Sequence, residues 1–95
     1  MKTPRPIRDY VLTWHACQMA ADRGISLSLV RTVLSAPDQR VVIRPGRIVD
    51  QYLCEVSGAE KPYLMRVVVD VDRKPAEVVT VYLTSRIAKY WESER

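Results

Sequence analysis

Cysteine is scarce, histidine occurs once, and no long apolar run is present; each shortage removes a class of function. Cys17 and Cys54 are the only cysteines in 95 residues and stand in no CxxC spacing, so neither a disulfide nor a thiolate metal site is expected. No apolar stretch approaches the roughly 18 residues needed to cross a bilayer, and the opening MKTPRPIRDYV lacks the apolar segment of a secretory signal. A soluble cytoplasmic protein with no membrane partner is expected. GxGxxG, Walker and GxSxG patterns are missing, as is any cluster of His, Cys and carboxylates, so the chain is expected to work without a metal or organic cofactor.

What is present is an ordinary globular composition. With 47% hydrophobic and 27% charged residues, the chain reads as one folded domain over 1–95, without a low-complexity tail. Fifteen Lys and Arg against eleven Asp and Glu give a formal net charge of +4, mostly from arginine, which forks onto phosphate and stacks on bases. That balance favours encounter with nucleic acid or an acidic protein.

Residue spacing divides the chain into helices, then strands. Pro4 and Pro6 lead into an apolar run from Ile7 to Leu12 that is extended rather than helical. Thr13 is placed to cap a helix over 14–23, with Trp14, Cys17, Ala20 and Ala21 at helical spacing as its packing stripe and Gly24 as its left-handed stop. Ser26 is placed to cap a second helix over 27–35, in which Leu27, Val30, Val33 and Leu34 share a face and Ala36-Pro37-Asp38 ends the pattern. Period-two runs then predict strands over 39–44, 47–56, 63–71 and 77–84, separated by turns at Pro45-Gly46, 57–62 and 72–75. A short helix over 86–91 follows, capped by Ser85, before a polar ESER end expected to fray. The expected fold is α+β: a helical hairpin on one face of a twisted four-stranded antiparallel sheet, with a short C-terminal helix.

Alternation assigns Met65, Val67, Val69, Val71, Val79, Val81 and Leu83 to the core face. The opposite, open face receives Leu64, Arg66, Val68, Asp70, Thr80, Tyr82 and Thr84. Arg66 interrupts the apolar run YLMRVVVDV; because an unpartnered guanidinium is costly to bury, it must meet solvent, a ligand, or a carboxylate such as Asp70 or Glu55. His15 is the one side chain whose ordinary pKa lies near neutrality, and it stands at a helix start, where phosphate is favoured. Tyr52 and Tyr82 offer phenols or stacking surfaces, and Arg86, Lys89, Tyr90 and Trp91 form a basic and aromatic patch. Its alternative is a solvated helix with both rings tucked against the sheet.

Together, TWHACQM, RGIS, VxxVLxxPD, GRIVDQY, YLMRVVVDV and VVTVYLTSRIAKYW resemble a bacterial domain-of-unknown-function family of small RelE/ParE-like proteins, over about residues 12 to 91. The resemblance implies a RelE-like fold and a ribonuclease site built at His15, Arg66, Tyr82 or Thr84, and Lys89. Metal-free RNA cleavage would then use His15 as general acid or base, Arg66 and Lys89 as phosphate ligands, and Tyr82 as proton donor or stacking surface. Arg47, Tyr52, Thr80, Thr84 and Arg86 are expected to contact substrate. RNA and an acidic antitoxin protein are the implied partners, with the oligomeric state open. A non-catalytic nucleic-acid or protein interaction module on the same fold is the alternative.

Overall fold

The computed structural model describes residues 4–93. Met1–Thr3 and Glu94–Arg95, the latter part of the polar end expected to fray, lie outside the described residues. Along the chain run β1 (Tyr10–Leu12), α1 (Trp14–Asp22), α2 (Leu27–Ser35), β2 (Gln39–Arg44), β3 (Arg47–Cys54), β4 (Tyr63–Asp70), β5 (Ala76–Thr84) and α3 (Ile87–Tyr90). No helix among the described residues is long and apolar enough to cross a membrane.

Local chemistry sets the helix ends. Thr13 Oγ1 accepts the Ala16 N–H at 3.1 Å, and Ser26 Oγ accepts the Leu29 N–H at 3.1 Å, so both predicted caps form. At the end of α1, Gly24 takes φ +66°. The Gly24 and Ile25 N–H groups then reach back to the Ala21 and Ala20 carbonyls at 3.3 and 2.8 Å, a Schellman turn that reverses the chain into α2.

The helix pair covers one face of the sheet, α1 against β5 and α2 against β3 and β4. The core joins Ala16, Ala20, Ile25, Val30, Val33 and Leu34 from the helical side to Ile48, Met65, Val67, Val69, Val78 and Val81 from the sheet. The stripe on α1 is therefore rotated from the expected one. Ala16 and Ala20 are buried, whereas Trp14 is 79% exposed and Cys17 and Ala21 face water. Two small residues a turn apart let the α1 backbone approach β5 closely, and the indole has no room there. On α2, Leu27 is likewise exposed, while Val30, Val33 and Leu34 are fully buried.

The sheet order is β1-β5-β4-β3-β2. The expected four-stranded antiparallel sheet is thus corrected to a five-stranded mixed one. β1 adds in parallel to β5, with Tyr10 opposite Ala76 and Leu12 opposite Val78; the other pairs are antiparallel. At three residues β1 is too short to show a period of two, and its partner lies across most of the chain. A bulge corrects the core face as well. Val68 lies opposite Thr80 but Val69 lies opposite Val78, so Val79 is the extra residue and Val78, not Val79, is fully buried. Val71, past the end of β4, is exposed.

Leu34→Ala is expected to cost about 2–5 kcal/mol of unfolding free energy. Trp14→Ala should stay within about 0.5 kcal/mol of wild type. Urea unfolding of the two variants checks the rotated stripe: a larger loss for Trp14→Ala would contradict it.

Candidate functional site

Antiparallel register places one row of polar side chains across the sheet, on the face away from α1 and α2. Gln39 of β2 pairs with Gln51 of β3, Gln51 with Arg66 of β4, and Arg66 with Tyr82 of β5. Directly paired residues point to the same face, so strand pairing alone converts four distant positions into neighbours. The row is continuous in hydrogen bonds. Gln51 Nε2 donates to Gln39 Oε1 at 3.0 Å, Arg66 Nε donates to Gln51 Oε1 at 2.7 Å, and Arg66 Nη1 donates to the Tyr82 hydroxyl.

This face is not open around the row, as had been expected. Leu64, Gln51 and Val49 are buried there, and Arg66 is only 8% exposed. The cover comes from the C-terminal segment. The Tyr90 ring stacks on the Arg66 guanidinium, centroid to Cζ 4.1 Å, and stands edge-on to Tyr82 at 6.4 Å. Gln51 Nε2 also donates to the Tyr90 carbonyl at 3.2 Å. Beyond it, Gln39 grips the Glu92 backbone twice, donating to its carbonyl at 2.7 Å and accepting its N–H at 3.0 Å. Glu92, placed in the fraying end by its sequence, is therefore held.

Arg66 forms no ion pair among the described residues; its partners are an amide, a phenol and two aromatic faces. Neither Asp70 nor Glu55 answers it. Nη2 donates to no described residue, and no described side-chain polar atom is both buried and unpaired, so Nη2 is where the cation meets solvent. A desolvated guanidinium whose charge is left unneutralised, with N–H groups still free, has the donor chemistry to bind an oxyanion. Tyr82 completes the chemistry: its oxygen accepts from Arg66, which leaves its own proton available to another acceptor.

The other predicted residues divide. Lys89 is exposed on α3 with Nζ 5.2 Å from the centroid of the same Tyr90 ring, which brings it into the cluster. Arg86 is exposed at the start of α3, where it takes the N-cap position in place of the expected Ser85. The Arg86 N–H donates to Thr84 Oγ1 at 3.1 Å, which occupies that threonine in a turn. Thr80 lies on the same face opposite Val68 and is half-buried. Tyr52 is on the helical face, packed against the core. His15 is exposed on α1, in the layer on the far side of the sheet from Arg66. Arg47 is committed to Asp70 through two bonds of 2.6 and 3.0 Å.

Two further ionisable groups are explained by structure. Burial pushes the Asp50 carboxyl up, although Arg40 opposes this with bonds of 2.6 and 2.9 Å. Burial likewise raises the Cys54 thiol, which makes it a poor nucleophile. Among the described residues no group of three or more His, Cys, Asp or Glu side chains is arranged to hold a metal ion.

Reading the chain alone misses Gln39 and Gln51, because a neutral amide in a strand carries no charge signal. The only hint is that Gln51 breaks the apolar part of RIVDQYLC.

The bonds from Arg47 hold the Asp70 carboxyl below its ordinary value. A carboxyl with a lowered folded pKa stabilises the fold above its unfolded value, about 3.9, and loses that contribution as pH falls through the folded value. Asp70→Asn is therefore expected to be less stable than wild type at pH 7. The gap should narrow below about pH 4, and thermal unfolding against pH reads it; a gap independent of pH would contradict the assignment. No protein-family model matches the chain, and comparisons with curated proteins and with solved structures find no significant match.

Proposed function

We propose that the domain holds the phosphate backbone of RNA at Arg66 and cleaves it by attack of the neighbouring 2′-hydroxyl, as RelE-type endoribonuclease toxins do. One observation carries the reading: Arg66 is nine-tenths buried, has only neutral partners, and keeps N–H groups free at Nη2. An isolated buried cation is expensive, and a bound phosphate offsets that cost most effectively when its own charge grows in the transition state.

Arg66 would fork onto the non-bridging oxygens and stabilise the phosphorane. The 2′-oxygen bonds to phosphorus as its proton passes to solvent, and the bond from phosphorus to the 5′-oxygen breaks. Tyr82 supplies a proton to the departing oxygen, leaving a 2′,3′-cyclic phosphate and a 5′-hydroxyl. Lys89 and Arg86, both exposed at α3, add positive charge beside the path of the strand. The motif resemblance, the net charge of +4 and the α+β architecture support this reading. A cytoplasmic setting and an acidic antitoxin partner belong to it. His15 is given no role in the step, because α1 lies in the opposite layer.

One observation favours a second reading, a binding module without catalysis: no imidazole or carboxylate among the described residues is hydrogen-bonded to the Arg66–Tyr82 pair. The readings part on a single set of assays with mixed-sequence single-stranded RNA and its 2′-deoxy counterpart. For the nuclease, wild type cuts RNA and not DNA, Tyr82→Phe lowers the cleavage rate about 100-fold or more while binding persists, and Arg66→Gln loses both. Binding to RNA without cleavage assigns the second reading. Unchanged binding by a folded Arg66→Gln variant overturns both.

A further inference from the structure

We infer that the C-terminal segment from α3 through Glu92 is a gate that closes the Arg66 anion site and must lift before the site binds a phosphate. The inference rests on the reading of Arg66 as a phosphate site and adds how access to it is controlled.

Two sets of observations carry it. The first is steric. A phosphate on a guanidinium needs two parallel N–H donors facing it at hydrogen-bond distance. Gln51 takes the Nε–H and Tyr82 one of the two Nη1 hydrogens, bonds made within the sheet; what the closed segment adds is the Tyr90 ring 4.1 Å from Cζ, with only 8% of Arg66 left exposed. The closed segment hinders a phosphate from reaching the remaining Nη1 and Nη2 N–H pair, and the aromatic face occupies the cation in its place.

The second concerns how weakly the cover is held. α3 is a single turn of four residues, has no side-chain bond at its N-cap, and contains no buried residue. Its hydrogen-bonded fastening to the sheet is the Gln39 clamp, two bonds to the Glu92 backbone in exposed surroundings, and the longer Gln51 bond to the Tyr90 carbonyl at 3.2 Å. Such a segment lies at the low end of local stability, so it opens without disturbing the sheet. Arg66 itself stays in place when it lifts, because Gln51 and Tyr82 belong to β3 and β5. Lys89 and Arg86 ride on the outside of the segment, where an approaching strand meets them first.

A gate lowers apparent affinity by the fraction of time it is open, so loosening the latch tightens binding. Gln39→Ala removes both bonds to Glu92 from a half-exposed edge position, and with them the bond from Gln51 Nε2, which keeps the Tyr90 carbonyl as acceptor while Gln51 Oε1 keeps Arg66 Nε. Affinity for a 2′-deoxy-substituted, uncleavable RNA oligonucleotide, read by anisotropy, is expected to rise about tenfold, equivalent to about 1.4 kcal/mol. The Glu92 amide should exchange its hydrogen faster in the same variant. Equal or weaker binding by Gln39→Ala, with Arg66→Gln still abolishing binding, overturns the gate and leaves the site standing. Unchanged binding by folded Arg66→Gln overturns the site and the gate with it.

Discussion

A guanidinium withdrawn from water without a carboxylate is the constraint around which the second face of this domain is organised. Three neighbouring strands and the C-terminal segment converge on Arg66 of β4. β3 supplies an amide oxygen, β5 a phenol, α3 an aromatic face, and β2 the glutamine that holds the cover in position. The contrast with the other buried charges is informative. Arg40 and Arg47 each meet an aspartate through two bonds and are thereby neutralised, with Asp50 and Asp70 as their counterions. Those pairs fasten strands together. Arg66 has the same side chain in a similar setting, yet is surrounded by dipoles and π faces that solvate a cation without cancelling it.

The two faces of the sheet thus follow different rules. Toward α1 and α2 the contacts are mainly aliphatic, between small helical residues and a field of valines, with the Arg40–Asp50 pair set among them. Away from the helices Leu64 and Val49 are buried beside a polar row, and the order there comes from hydrogen bonds perpendicular to the strands. An aliphatic layer tolerates repacking; a directional row does not, because each member depends on its neighbour for orientation.

Much of the first face was legible in the chain. Thr13, Gly24 and Ser26 announce the helical hairpin through capping chemistry that is local by nature, and the alternation in YLMRVVVDV assigns Met65, Val67 and Val69 inward. Legibility fails where an outcome depends on partners distant along the chain. The parallel pairing of β1, the extra residue at Val79 and the rotation of α1 onto Ala16 and Ala20 are all settled by tertiary fit. The candidate site shows the same division. Arg66 and Tyr82 stood out as polar residues in strands, whereas Gln39 and Gln51 acquire meaning only through register. His15 stood out by its chemistry, and the layer it belongs to was invisible without the packing.

The parallel strand β1 also bears on how the chain reaches this state. Tyr10 pairs with Ala76, and the Thr13 amide donates to the Val78 carbonyl, so the first strand waits for the last. Hairpins β2–β3 and β3–β4 close over short loops and can assemble early, but β1 must be brought back across nearly the whole domain. Until it arrives, β5 is a bare sheet edge with Ala76 and Val78 uncovered. Three residues of β1 therefore close what would otherwise be an open sheet edge along Ala76–Val78, the kind of edge that other strands can pair with.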